Sequence, residues 1–259
     1  MHLAFLGTSG AVPSLRRDTT SLVFVGASDA VLVDCGGSPI QKLLLAAVDP
    51  ATLAHVVITH VHADHAYGLP ALVQGLRLLG RRAPLTVSCR EEHVEPLRRV
   101  LAAFEVLDRP GMFPLSIAGV PGRPGAPVAT TPSFSLSAAP GAHGAMPTLA
   151  VRVEPAGGAP AVVYSSDTEP CDAVVELARG AGTLVHDATY GADERRERYG
   201  AHSSAAEAAE VAARAGVARL ILTHLDAAHH AATGALVAAA RARFSGEIEV
   251  AEELVPYPF

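Results

Sequence analysis

The chain has 259 residues, 49% of them hydrophobic and 18% charged, which is ample apolar material for a core and excludes wholesale disorder. Its formal charge of −6, from 20 Lys and Arg against 26 Asp and Glu, disfavours a dedicated nucleic-acid binder, because such binding rests on clustered positive charge. Cys35, Cys89 and Cys171 are odd in number and far apart. They fit neither a disulfide framework nor a clustered Cys zinc site, and they point to a reducing compartment.

The opening segment, Met1-His-Leu-Ala-Phe-Leu-Gly, has no basic stretch and only a short apolar run, so it reads as a first strand and not as a signal peptide. Strands are expected at 3–6, 22–25 and 30–33, with Gly-Ala-Ser-Asp at 26–29 as a hairpin turn. A helix at 39–46, a strand at 56–58, a helix at 67–79, a strand at 85–88 and a helix at 91–104 follow. The Pro- and Gly-rich stretch 119–132 reads as a loop. Strands at 134–138, 149–153 and 161–164 lead to a helix at 172–179 and a strand at 183–185. A helix at 203–215, with Ser203 as its N-cap and Glu207 in the next turn, precedes a strand at 220–222, a helix at 234–244 and a strand at 248–251.

Most of these strands are continuous apolar runs, as expected when both faces are covered. They come in consecutive groups separated by helices, which favours a layered α/β sandwich over a simple doubly wound sheet. No linker is long enough to separate domains, so 1–259 is expected to be one domain. The longest charge-free stretch, 124–151, is broken by four prolines and cannot supply the ~20 apolar residues of a spanning helix. A soluble, cytoplasmic protein is expected. Nineteen of the 20 basic residues are Arg, and the pairs Arg16-Arg17, Arg81-Arg82, Arg98-Arg99 and Arg195-Arg196 are scattered, each read as solvated surface.

The chemistry concentrates in Thr59-His60-Val61-His62-Ala63-Asp64-His65, directly after an apolar strand. Four of six consecutive residues there can ligate a metal. Imidazole nitrogen and carboxylate oxygen suit Zn²⁺ and related ions, and a loop at a strand's C-terminal end can aim alternate side chains into one cavity. His60 and His62 are expected to act together, leaving Asp64 and His65 for a second ion.

At these residues the chain resembles the metallo-β-lactamase superfamily, whose signature is His-x-His-x-Asp-His. Within it, the chain is most similar to the ribonuclease Z and small phosphodiesterase branch. The residues that carry this are Leu6-Gly7-Thr8 with Pro13 and Arg17, Leu32-Val-Asp34-Cys-Gly36, Ser165-Ser-Asp167-Thr168, His186-Asp-Ala-Thr189, His202-Ser203 and Leu222-Thr-His224. The resemblance implies a four-layer αββα sandwich and two divalent ions, most readily Zn with Mn or Fe as alternatives. It implies one ion on His60, His62 and His143, the other on Asp64, His65 and His224, and Asp167 bridging. Asp167 and His224 also follow apolar strands, where sheet proteins keep ligands.

Asp34 resembles a buried aspartate that orients the ligand loop, and Cys35 beside it reads as packing. His202 resembles a histidine placed over the scissile phosphate, to donate a hydrogen bond or protonate the leaving group, with Asp187 orienting it. This branch often carries Glu where Asp187 stands. Asp64 would both bind metal and orient the nucleophile. His229 and His230 match nothing in the family and read as exposed loop residues.

For substrate, the resemblance mainly excludes. Ribonuclease Z proper inserts a tRNA-gripping arm between the counterparts of His143 and Asp167, and here the interval has room only for two strands and a turn. The arginine-containing segment after the last ligand is replaced by Leu225-Asp-Ala-Ala-His229. The leading expectation is therefore a hydrolase of small or cyclic phosphodiesters. Ribonuclease Z-type tRNA 3′-end cleavage is the alternative, followed by another ester, lactone or sulfate hydrolase and, last, a non-catalytic metal-binding protein. The resemblance also implies a homodimer, for which the apolar helix 67–79 is the one candidate surface.

Overall fold

A computed structural model describes residues 1–192, 201–231 and 233–259 of the chain; the pair Arg195-Arg196 lies outside them. The first half forms β1 (His2–Gly7), β2 (Ser21–Val25), β3 (Ala30–Val33), α1 (Pro39–Leu45), β4 (Leu53–Ile58), α2 (Ala63–Ala66), α3 (Leu69–Leu78), β5 (Leu85–Arg90), α4 (Val94–Ala103) and β6 (Leu115–Val120). The second forms β7 (Ala126–Thr130), β8 (Phe134–Pro140), β9 (Leu149–Pro155), β10 (Val162–Tyr164), α5 (Asp172–Ala178), β11 (Thr183–Asp187), α6 (Ala205–Ala215), β12 (Arg219–Thr223), α7 (Thr233–Arg241), β13 (Glu247–Val250) and β14 (Pro256–Pro258).

These strands make two seven-stranded sheets, ordered β14-β1-β2-β3-β4-β5-β6 and β13-β12-β11-β10-β9-β8-β7. Each is mixed. Strands β3 to β6 run parallel in one and β10 to β13 in the other, and the remaining pairs are antiparallel. The period-2 geometry of a strand sends alternate residues to opposite faces, and both faces are buried here. Leu3, Phe5, Val31 and Val33 meet Phe134, Val151, Tyr164 and Ile221 between the sheets, whereas Ala4, Leu6, Ala30 and Leu32 face the helical side with Leu69, Leu72 and Leu76 of α3. The second sheet's outer face packs on α5 and α6. The architecture is the expected αββα sandwich. None of its described helices is long and apolar enough to cross a membrane.

Four expectations are corrected. Much of the stretch 119–132 is strand: β7 pairs antiparallel with β8 at the sheet's edge, with a register shift between Pro127 and Ala129. Proline is tolerated at such an edge because a missing N–H costs no central ladder bond. The edge strand β14 likewise contains two prolines. The N-cap of α6 is Ser204, not Ser203: Ser204 accepts from the Glu207 backbone while Glu207 reaches back to the Ser204 N–H. Ser203 instead donates to the Thr168 carbonyl at 2.7 Å. Arg81 is buried, donating to the carbonyls of Ala83 and Pro84, and Arg17 is half-buried with bonds to Thr8 and the Ala251 carbonyl.

The capping box closes two otherwise orphaned donors, so Ser204→Ala should lower unfolding free energy by about 1 kcal/mol. Urea denaturation with an unchanged slope is the check.

Candidate metal centre

The site forms where the C-terminal ends of both sheets' strands meet. Asp34 follows β3; His60, His62, Asp64 and His65 lie between β4 and the end of α2; His143 follows β8, Asp167 follows β10, Asp187 ends β11 and His224 follows β12. His202 precedes α6. Four non-glycine residues in these loops, Asp34, Ser166, Ala201 and His224, have positive φ. Each such conformation is worth about 1–3 kcal/mol of strain that the surroundings must hold. Gly36 has no room for a side chain, since a Cβ there would come within 2.5 Å of the Asp64 carbonyl oxygen.

The ligand-type residues fall into three overlapping groups that share Asp167: His60, His62 and His143 with Asp167, Asp64, His65 and His224 with Asp167, and the adjoining Asp187, His202 and His224 with Asp167; the first two contain the residues of the sequence motif. In the first, His62 Nδ1 lies 3.0 Å from His60 Nε2 and 3.1 Å from His143 Nε2, and Asp167 Oδ2 is 3.7 and 3.9 Å from the latter two. In the second, His224 Nε2 is 3.3 Å from both His65 Nε2 and Asp64 Oδ2. Asp167 Oδ1 is 3.2 Å from His65 Nε2, and Asp167 Oδ2 is 3.2 Å from His224 Nε2. An ion held tetrahedrally at about 2.0–2.1 Å sets its ligand atoms about 3.3–3.4 Å apart, a value the observed 3.0–3.9 Å spacings bracket.

The partners of the other ring nitrogens decide what faces inward. His143 Nδ1 donates to the Ala201 carbonyl at 2.8 Å, and His65 Nδ1 donates to Asp34 Oδ2 at 2.8 Å. Neutral imidazoles bonded this way present a lone pair at Nε2. In the first group the Nε2 atoms of His60 and His143 both lie within 3.1 Å of one His62 nitrogen that can carry at most one proton. Asp167 Oδ1, buried, accepts no hydrogen bond among the described residues. This donor set fits two cations.

Electrostatics agree. Burial pushes His60 well below the ordinary imidazole range, helped by His65 and His143, and lowers His62. Burial also opposes charge on His65, but Asp167 and Asp34 outweigh it and hold that imidazole well above its usual value. Asp167 is likewise buried, yet His224, His65 and His60 keep its carboxyl well below the normal range. The cluster draws positive charge to its carboxylates wherever it can.

Asp34 is fully buried and accepts from the Thr59 N–H at 2.8 Å, from the Thr59 hydroxyl at 2.9 Å and from His65. The start of the ligand loop is thereby tied to β3. Ser166 donates to the Thr59 hydroxyl at 2.8 Å, which joins the loop carrying Asp167 to the same anchor. Cys35 is buried and its thiol is pushed up, with burial first and Asp34 second as causes.

His202 Nδ1 donates to Asp187 Oδ2 at 2.7 Å, so the shorter carboxylate does reach. The His202 ring stacks on His224, with centroids 5.3 Å apart, and meets His143 edge-on at 4.9 Å. Burial disfavours its charge, but Asp187 outweighs that and raises its pKa to about 9. His229 and His230, expected to be exposed, are half-buried, because His230 Nε2 lies 3.0 Å from the Ser9 hydroxyl and the His229 ring occupies the space beside Gly191.

The sequence reading assigned no role to Thr189 or Ala201. The Asp-x-Thr spacing, in which the Thr189 N–H bonds Asp187 Oδ1, was a readable local signal. Nothing in the sequence marks the Ala201 carbonyl.

Residues 29–225 match the sequence profile of the beta-lactamase superfamily domain. A protein named Ribonuclease Z from Methanothermobacter thermautotrophicus is 32% identical over 98% of this chain and 95% of its own length. The metallo-beta-lactamase fold protein YhfI from Bacillus subtilis superposes with a TM-score of 0.82 at 24% identity, covering 99% of this chain and 98% of the other. The short form of human tRNase Z gives 0.80 at 21% identity and covers both chains fully. The chain belongs to the metallo-β-lactamase superfamily, in its ribonuclease Z-like branch, and is a metal-dependent hydrolase of that fold.

His202 is charged up to about pH 9 in the folded chain against 6.5 ordinarily. Its raised pKa therefore adds stability that is complete below pH 6.5 and is lost as pH rises through about 9. In a histidine NMR titration of the metal-free protein, Asp187→Asn should bring His202 to or below the ordinary imidazole value while the wild type titrates near 9.

Proposed function

We propose that this hydrolase cleaves phosphodiester bonds with two divalent ions, one held by His60, His62 and His143, the other by Asp64, His65 and His224, with Asp167 between them. One observation carries the reading: seven acceptor side chains converge in two groups that share Asp167, with the His202–Asp187 pair packed against both. Bound there, the ions supply Lewis acidity, which makes water ionisable near neutral pH and offsets phosphoryl charge. Zinc suits an imidazole and carboxylate set without thiolate, and Mn or Fe suit it too.

Chain residues supply the rest. Asp64 Oδ2 sits between His65 and His224, where a carboxylate orients an attacking water. Because Asp187 occupies His202 Nδ1, the Nε2–H is left to donate to a phosphoryl oxygen or to protonate the departing alkoxide. Asp34 and Asp187 act by orienting His65 and His202.

The relatives favour RNA as substrate, the reading placed second on the missing arm, the missing arginine-containing segment and the net charge: two that share 32% identity across almost the whole chain are named Ribonuclease Z. Whole-chain charge reported poorly on this because contact with a phosphate backbone depends on local basic groups. A specific observation still favours small or cyclic diesters. Between His143 and Asp167 the chain makes only β9, a turn at 156–161 and β10. The alignment to the Methanothermobacter protein also runs over 307 positions against 259 residues here, so that relative carries segments this chain lacks. A homodimer and a cytoplasmic setting belong to the same proposal. Exposed Leu78 and Leu79 at the end of α3, and exposed Leu44 and Leu45 of the neighbouring α1, support the first, and three unpaired cysteines support the second.

The zinc-loaded protein should hydrolyse bis(p-nitrophenyl) phosphate in preference to p-nitrophenyl phosphate, sulfate and acetate, and Asp167→Ala should abolish both turnover and full metal uptake. Turnover confined to sulfate or acetate, or a folded Asp167→Ala protein at full rate, would refute the phosphodiesterase reading. Cleavage of a precursor tRNA against cyclic nucleotides then separates the two substrate classes.

A further inference from the structure

The Thr189 hydroxyl lies at a junction that the proposed chemistry does not yet use. Its oxygen is 2.7 Å from Asp187 Oδ1, 2.8 Å from His224 Nδ1, 2.8 Å from the His224 carbonyl and 3.3 Å from His202 Nδ1, whose proton goes to the closer Asp187 Oδ2. A hydroxyl has one proton, and the charged carboxylate outcompetes the neutral carbonyl for it. The oxygen's lone pair is then available to accept the His224 Nδ1–H. That choice leaves the His224 Nε2 lone pair facing Asp64 and Asp167, as an ion ligand requires. Asp187 Oδ1 is itself 3.8 Å from His224 Nδ1, out of hydrogen-bond reach, so the hydroxyl spans the gap. The other oxygen, Oδ2, takes the His202 Nδ1–H. The Thr189 N–H holds Oδ1 in place at 2.9 Å.

We propose that Thr189 is a positioning residue through which one buried carboxylate, Asp187, sets the orientation of both His202 and His224. This rests on the reading that His224 holds an ion. It makes the metal group and the leaving-group histidine a single mechanical unit: the two oxygens of Asp187 are fixed to each other, so neither ring turns alone. Partners of this kind set the ring orientation of a ligating histidine and typically govern 10–100-fold of metal affinity or activity.

The test is Thr189→Val, which keeps the branched shape and removes the hydroxyl, alongside Thr189→Ser, which keeps the hydroxyl. Zinc affinity is read by chelator competition, and turnover is followed separately. The expected result is a second zinc equivalent weakened about 10–100-fold in T189V, the first equivalent unchanged, and T189S restored to near wild type. If T189V does not fold by circular dichroism, T189A replaces it and the comparison with T189S is unchanged. A wild type that binds two equivalents while T189V binds both equally well, or a T189S protein as weak as T189V, overturns the proposal. A wild type that binds fewer than two overturns the dinuclear reading and this one with it.

Discussion

Four carboxylates, Asp34, Asp64, Asp167 and Asp187, are buried together at one end of the sandwich, and the rest of the site answers to that concentration of negative charge. A buried ion costs several kcal/mol unless it is paired and hydrogen-bonded. Asp34 and Asp187 receive backbone and hydroxyl donors as well as histidine. Among the described residues, none donates a hydrogen bond to Asp167 Oδ1. Two divalent cations carry as much positive charge as four carboxylates carry negative, so the loaded site would be balanced. Without cations, the demand falls on His65, His202 and His224, all of them held above the ordinary imidazole range.

The fold explains why these groups can be brought together. Two sheets face each other across an apolar interior, and each contributes loops from the C-terminal ends of its strands to one seam. No single loop could hold the cluster. The first sheet supplies Asp34 and the His60–His65 run; the second supplies His143, Asp167, Asp187 and His224. The bond from Ser166 to Thr59 crosses between these sources, and the one from His143 to the carbonyl of Ala201 ties two loops of the second sheet together. Those bonds hold the strained backbone at Ser166 and Ala201, while Thr59 and His65 hold Asp34 and Thr189 holds His224.

Much of this was legible in the sequence, and what escaped it has physical reasons. Continuous apolar runs such as Ala30–Val33 are strands because both faces are covered, and that pattern needs no tertiary information. The strand β7 was hidden by Pro127 within it, which is compatible with an edge position that only the assembled sheet reveals. The cap of α6 shifted by one residue because Ser203 and Ser204 are equivalent cap residues until the Thr168 carbonyl claims one of them. The His-x-His-x-Asp-His run declared its chemistry locally. The distant members, His143 and His224, look like any turn histidine until the sheets pack. The half-buried state of His230 depends on Ser9, more than 200 residues away in the chain. Substrate choice is the least legible of all, since it depends on loops whose shape neither composition nor periodicity fixes.

The central claim is that the chain works with two ions at once. Its most direct measurement is stepwise zinc addition to metal-depleted protein, with bound zinc and hydrolysis of bis(p-nitrophenyl) phosphate followed on the same sample. The account requires two equivalents bound and turnover that rises mainly with the second. Saturation at one equivalent, or full turnover reached with only one bound, would contradict it.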